Sequence, residues 1–247
     1  MDIHSEVFKI QTFQVDSYGK AKISAVCNWL QEVASSHAME LGFSQSHLHK
    51  KGLMWALYRF RVMLTRTPDE GEELEWTTWV SKMKGPFSER EYKVVDNRGN
   101  EIIKATSLWF SLNKATRKPQ EIGSIGKRLE LKFGPKSIEG PEKIQIPKEM
   151  DVIGKTTVNY FHMDTNHHVH NVSYIELILG ALQKDTWETK EVMQLDINYL
   201  KEINEFHHEL TISRANGGLN KDVFIITDNS STLLASLMIH WRIIERE

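Results

Sequence analysis

Met163-Asp164-Thr165-Asn166-His167-His168-Val169-His170-Asn171-Val172-Ser173-Tyr174-Ile175 is the stretch from which this chain is best read. It sets a carboxylate, a carboxamide and three imidazoles between positions 164 and 170, then passes directly into an apolar pattern of helical period. A related passage stands early in the chain. Val15-Asp16-Ser17-Tyr18-Gly19-Lys20 lies over Met163 to His168, keeping the aspartate as Asp16 but putting Tyr18 for Asn166 and Lys20 for His168. It too runs into a helical stripe.

Working outward, each passage opens a similar series of elements. In the first half, Phe8 to Phe13 alternates as a short strand. Ile23, Val26, Cys27, Leu30, Val33, Ala34, Ala38 and Leu41 recur three and four apart, with Gly42 as a stop. Cys27 on that stripe reads as a small buried apolar residue, and His37 sits beside the stripe. Strand patterns follow over Met54–Leu64, Leu74–Val80, Glu89–Val95 and Glu101–Leu112, punctuated by Pro68-Asp69-Glu70-Gly71 and Asp96-Asn97-Arg98-Gly99-Asn100. In the second half a strand is expected over Lys155–Phe161 and a helix over Asn171–Gln183, with Val172, Ile175, Leu179 and Leu182 facing inward. Strands are expected over Val192–Leu200, Glu209–Arg214, Val223–Thr227 and Leu233–Ile244. The last strands even share wording: Ala105-Thr106-Ser107-Leu108-Trp109-Phe110 against Ala235-Ser236-Leu237-Met238-Ile239-His240.

One helix followed by antiparallel strands, made twice, is a duplicated α+β unit. The expected division is residues 1–126, a linker over 127–150, and residues 151–247. The linker range holds Pro135, Pro141 and Pro147, and its apolar residues show no period. Two such units should pair as a homodimer made covalent, and the whole could be a monomer or a homodimer.

Composition narrows the function classes. The net charge of -2 gives no bulk basic surface for nucleic acid. A single cysteine excludes an internal disulfide and a multi-cysteine metal site. No run of about 18 apolar residues suggests a membrane span, and the first residues lack a signal-peptide pattern. The expectation is a cytoplasmic protein without a cofactor. His162, His167, His168 and His170 invite a metal reading, but no second group with ligand spacing accompanies them, and metal is not expected. The pair His207-His208 is read as partly solvent-facing. By itself, an Asp, Asn and His segment before a helix also makes a turn and a cap, with Asn171 as the N-cap.

The organisation resembles the acyl-acyl carrier protein thioesterases, whose fold is a tandem pair of hotdog domains. Trp29-Leu30-Gln31-Glu32-Val33-Ala34-Ser35-Ser36-His37-Ala38 looks like that family's first helix. Trp76-Thr77-Thr78-Trp79-Val80 and Ala105 to Trp109, running on to Arg117, look like family strands. The family's Asp-x-Asn-x-His-Val-x-Asn-x-x-Tyr-Ile string falls on Asp164, Asn166, His168, Val169, Asn171, Tyr174 and Ile175. A later family segment falls on Tyr199-Leu200-Lys201-Glu202, with Ile203 where a cysteine usually stands.

The resemblance implies hydrolysis of a fatty acyl thioester carried on acyl carrier protein, with Asp164, Asn166, His168 and Glu202 as the catalytic set. Because the cysteine is missing, an attacking water is favoured over a thiol nucleophile, and a covalent carboxylate intermediate on Asp164 or Glu202 stays open. Glu202 and His168 are the candidate bases. Asn166 would orient the water or the substrate carbonyl, Asp164 would fix His168 or Asn166, and the helix near Asn171 would offer N–H groups to an oxyanion. Without the resemblance, Glu202 reads as a solvated residue on the polar phase of its strand.

The first half, lacking amide and base, is expected to hold the acyl chain, with Trp29, Val33 and Met54 as lining or as ordinary core. Lys114, Arg117 and Lys118, or Lys82 and Lys84, are expected to dock the acidic carrier. Three alternatives remain: an acyl-CoA thioesterase of the same fold, a non-catalytic acyl-binding hotdog protein, and a hotdog dehydratase or hydratase.

Overall fold

The structure is a computed structural model, and it describes all residues except 124, 129, 205, 207, 219, 246 and 247. His207, of the expected solvent-facing pair, therefore lies outside the described residues. The chain divides into two compact units, Met1–Pro141 and Glu142–Glu247.

In the first unit the elements are β1 (Ile3–Lys9), α1 (Ile23–Glu40), α2 (Gln45–His49), β2 (Leu53–Leu64), β3 (Glu73–Lys84), β4 (Phe87–Val95) and β5 (Glu101–Asn113). The strands pair antiparallel in the order β1-β3-β4-β5-β2. α1 lies against β1 and β3. All eight apolar residues expected on its stripe are buried, because residues three and four apart share the face turned to the sheet.

The second unit repeats the plan: β6 (Asp151–Thr157), α3 (Asn171–Leu179), α4 (Lys184–Thr189), β7 (Lys190–Tyr199), β8 (Glu209–Asn216), β9 (Lys221–Asp228) and β10 (Leu233–Ile243). Its antiparallel order, β6-β8-β9-β10-β7, is the first unit's order strand for strand. Ala105 on β5 pairs with Tyr92 of β4 and Val62 of β2, and Ala235 on β10 with Ile226 of β9 and Tyr199 of β7, so the shared wording lies on equivalent strands.

Three elements differ from expectation. The first strand is Ile3–Lys9, not Phe8–Phe13. Its half-buried residues are His4, Glu6 and Phe8, while Ile3 and Val7 face out, so polarity and burial run out of phase. In the second unit the opening strand ends at Thr157, and Tyr160–His162 form a 3₁₀ turn. The helix expected to reach Gln183 ends at Leu179 because Gly180 caps it. Beyond the cap, Ala181 and Leu182 donate to Ile178 and Leu179, the i→i−3 pattern of a tightened last turn.

Residues of the expected linker run along the first unit and then the second. Lys132 N donates to Asp2 Oδ2 (2.7 Å), Trp79 Nε1 to the Pro135 carbonyl (2.7 Å), and Ser137 N to Glu91 Oε2 (3.2 Å). Past the division, Ile144 N donates to Asn198 Oδ1 (2.9 Å).

His37 is not beside the α1 stripe but inside it, 2% exposed, with its Nδ1 3.0 Å from Arg90 Nη1. Burial, and then the Arg90 charge, push its imidazole down from 6.5 to about 3. The folded-state value lies below the unfolded one, so between them the unfolded chain binds the extra proton. Stability from this group is therefore intact above about pH 6.5 and declines as pH falls toward about 3. Urea denaturation over that window should lose up to about 1.4 kcal/mol per pH unit from His37, and His37→Gln should flatten the slope. An unchanged slope would mean that His37 is not held neutral by the fold.

Candidate active site

The site is built on the loop between the 3₁₀ turn and α3. Asp164 Oδ1 accepts from the backbone N–H of Asn166 (2.7 Å) and of His168 (3.3 Å). Asp164 N donates to the His168 carbonyl (2.8 Å), and His167 N donates to the Asp164 carbonyl (3.0 Å). The carboxylate's second oxygen accepts from Asn166 Nδ2 at 3.1 Å. The aspartate thus fixes Asn166 twice, by backbone and by side chain, and holds His168 by its backbone.

The same cage recurs in the first unit without the chemistry. Asp16 Oδ1 accepts from Tyr18 N (2.8 Å) and Lys20 N (3.0 Å), and Asp16 N donates to the Lys20 carbonyl (2.8 Å). Asp96 and Asp228 close hairpin turns in the same way. The fourth residue of each cage has a positive φ: Gly19 (71°), Gly99 (79°), Ser231 (59°) and, at the site, His167 (61°).

The His168 side chain meets Glu202 from the second half of the unit, with Nε2 3.8 Å from Glu202 Oε2. That gap exceeds a hydrogen bond but leaves each group in the other's field. His168 is 21% and Glu202 40% exposed at the side chain, shielded yet reachable. Glu202 is not on the polar phase of a strand. β7 ends at Tyr199, and Glu202 lies on the irregular segment after it. The segment is placed by Val169 N, which donates to the Ile203 carbonyl at 2.8 Å, one residue beyond His168 and Glu202 on either side.

The α3 cap also differs from expectation. His170, not Asn171, is the N-cap, its Nδ1 accepting from Val172 N at 3.4 Å. Burial pushes the His170 imidazole down, which favours the neutral form that an accepting nitrogen requires. His162 accepts from Asn159 N through Nδ1 (3.1 Å). Both histidines thus serve backbone groups of the second unit. No spacing signal in the sequence marks His170 rather than Asn171 as the cap.

The other sequence-predicted residues lie in the first unit. Trp29 stacks on Phe8 with centroids 4.1 Å apart, Val33 is fully buried on α1, and Met54 is buried on β2. Arg117, on the loop after β5, reaches Met54 Sδ with Nη1 at 2.9 Å. Lys114, Arg117 and Lys118 are all exposed on that loop, which is tied by Lys114 N to the Gly52 carbonyl. Of the alternative pair, Lys82 is bound to Glu89 at 3.1 Å. Cys27 is fully buried on α1, and Ile203, at the place of the family cysteine, is buried too.

A helix laid against a five-stranded antiparallel sheet, made twice in one chain, defines the tandem hotdog class. Residues 1–124 match the family described as the acyl-ACP thioesterase N-terminal domain, and residues 146–242 match its C-terminal domain. The chain belongs to the acyl-ACP thioesterase family. It is 30% identical over 210 residues to a palmitoyl-acyl carrier protein thioesterase of Cuphea hookeriana, covering 79% of this chain and 50% of that protein. To oleoyl-acyl carrier protein thioesterase 1 of Arabidopsis thaliana it is 25% identical, over 82% of this chain and 61% of the relative. The chain spans about half the length of the first of these relatives. Among solved structures, an acyl-ACP thioesterase from Bacteroides thetaiotaomicron superposes with a TM-score of 0.90 at 27% identity, over 97% of this chain and 98% of that one. The 12:0-ACP thioesterase from Umbellularia californica shares the fold, with a TM-score of 0.85 at 20% identity over 98% of each chain.

Two outcomes are expected. Asp16→Ala and Asp164→Ala each strip a carboxylate from backbone donors, so each should lower the unfolding free energy by roughly 1–3 kcal/mol in urea titration. Only Asp164→Ala should also lower kcat; equal activity losses would mean that the cage matters only for folding. Cys27→Ser should leave kcat unchanged while lowering Tm, because a hydroxyl is buried in an apolar stripe. A dead but folded variant would restore a thiol mechanism.

Proposed function

We propose that this protein hydrolyses the thioester of a fatty acyl chain carried on acyl carrier protein, releasing the fatty acid and the carrier thiol. The observation that carries the reading is the His168–Glu202 pair, 3.8 Å apart and half-shielded, beside an Asn166 whose amide is fixed by Asp164. Family membership and the carrier named for the relatives favour acyl carrier protein over coenzyme A.

In this mechanism a water lies against His168 and Glu202, which together take its proton as its oxygen attacks the thioester carbonyl carbon. A positioned base contributes about 10²–10⁴-fold. Asn166 orients the carbonyl or the water. In the first turn of α3, Val172 N and Ser173 N already donate to His170, so these two N–H groups are not assigned to the oxyanion. The tetrahedral intermediate then collapses, the C–S bond breaks, and the proton held by the pair passes to the leaving sulfur.

The first unit, with Tyr18 and Lys20 in place of amide and base, is assigned to holding the acyl chain. Each methylene buried contributes about 0.8 kcal/mol, so the depth available there sets the preferred length. Trp29 is the surface favoured for contact with the chain, since Val33 and Met54 are already buried. Lys114, Arg117 and Lys118 are assigned to the acidic carrier, and the cytoplasm is proposed as the compartment.

The test is thiol release on acyl carrier protein substrates of graded length, with matched acyl-CoA alongside. The expected result is turnover with a preference for the carrier, and a loss of about 10²–10⁴-fold in His168→Ala. Equal rates on acyl-CoA would sink the choice of carrier, and a fully active His168→Ala would sink the site.

A further inference from the structure

We propose that Tyr174 is a positioning residue for the hydrolysis, its hydroxyl latching the backbone on both sides of Glu202 so that the carboxylate stays against His168. The proposal rests on the assignment of His168 and Glu202 made above.

The geometry is specific. Tyr174 Oη donates to the Lys201 carbonyl (3.3 Å) and accepts from Ile203 N (3.1 Å). These are the two residues flanking Glu202. The ring, 3% exposed, projects from α3 and meets Tyr199 edge-on with centroids 5.5 Å apart. Its packing needs only an aromatic ring; the hydroxyl does something separate. Without it, the Val169–Ile203 bond is the one backbone bond among the described residues that joins the segment after β7 to the His168 loop. Burial pushes the Tyr174 phenol well above its usual range, so it stays protonated and acts as donor and acceptor rather than as a base.

The first unit supplies the control. Its loop makes the equivalent backbone bond, from Ala21 N to the Pro68 carbonyl (2.8 Å). By that bond Thr67 stands where Glu202 does, and by the loop alignment Val26, fully buried, stands where Tyr174 does. The unit that keeps the aspartate cage and the backbone bond has lost the amide, the imidazole, the glutamate and the hydroxyl together. A hydroxyl needed only to fold this architecture would have been needed twice.

The experiment is a double-mutant cycle on the full chain, reading thiol release from an acyl carrier protein substrate for wild type, Tyr174→Phe, Glu202→Gln and the double variant. Rates are compared per folded enzyme, from circular dichroism. A displacement of about 1 Å costs on the order of 10²-fold, so Tyr174→Phe should lower kcat by roughly 10–100-fold with KM nearly unchanged. If the hydroxyl acts through Glu202, the double variant should be no slower than Glu202→Gln alone. As a second measure, the pH–rate profile of Tyr174→Phe should shift, since the carboxylate no longer sits in the imidazole's field.

A wild-type kcat in Tyr174→Phe, or losses that multiply in the double variant, would overturn the latch. A wild-type rate in Glu202→Gln overturns the site assignment itself, and the latch with it, whatever Tyr174→Phe does.

Discussion

The structure of the site depends on one backbone hydrogen bond, from Val169 N to the Ile203 carbonyl. It joins two segments 34 residues apart in sequence, and it does so one residue beyond each of His168 and Glu202. A main-chain bond buried beside Ile203 is expensive to break and indifferent to side-chain identity. That makes it a register pin: whatever occupies positions 168 and 202 is brought together. The first unit has the same pin between Ala21 and Pro68, and there the positions equivalent to 168 and 202 carry Lys20 and Thr67; Lys20 pairs instead with Asp69, one residue past Pro68, at 2.6 Å. One frame has been furnished in two ways.

The aspartate cage shows the complementary lesson. Asp164 looks catalytic because it opens a motif of reactive residues. Yet Asp16, Asp96 and Asp228 accept the same two backbone N–H groups, and two of those turns are plain hairpins. The carboxylate's first duty is to satisfy donors in a tight turn, a job that short acidic side chains do wherever one is needed. What is particular to Asp164 is its second oxygen on the Asn166 side chain. Asp96 makes a similar bond to Asn100 on a turn with no chemistry, so even this bond acquires meaning only from the neighbouring His168.

Much of this was legible in the sequence, for physical reasons. A period of 3.6 on α1 and alternation on the long inner strands report burial, and burial sets the fold. The duplication was visible because both copies bury the same faces. Where burial and polarity part company the sequence misled. β1 exposes Ile3 and Val7 and half-buries His4 and Glu6. The neighbours of Glu202 alternate as a strand does, although the ladder stops at Tyr199. The roles of His170 and Tyr174 depend on which backbone atoms lie within reach of a ring nitrogen or a hydroxyl. No one-dimensional pattern carries that.

His167 marks where folding and chemistry conflict. Left-handed backbone costs a side chain about 1–2 kcal/mol relative to glycine, and the equivalent positions Gly19 and Gly99 avoid the cost. The site loop accepts it at φ 61°. A glycine would also widen the range of conformations open to the residues on either side, and those residues are Asn166 and His168. A cage that tolerates strain at its fourth position while fixing the third and fifth trades stability for a narrower spread of amide and imidazole positions. On the proposed roles of Asn166 and His168, that trade holds them in place before substrate arrives, whereas Ser231, on a plain hairpin, takes nearly the same φ with no assigned chemistry beside it. The first unit holds no such groups, and at the same position it has glycine.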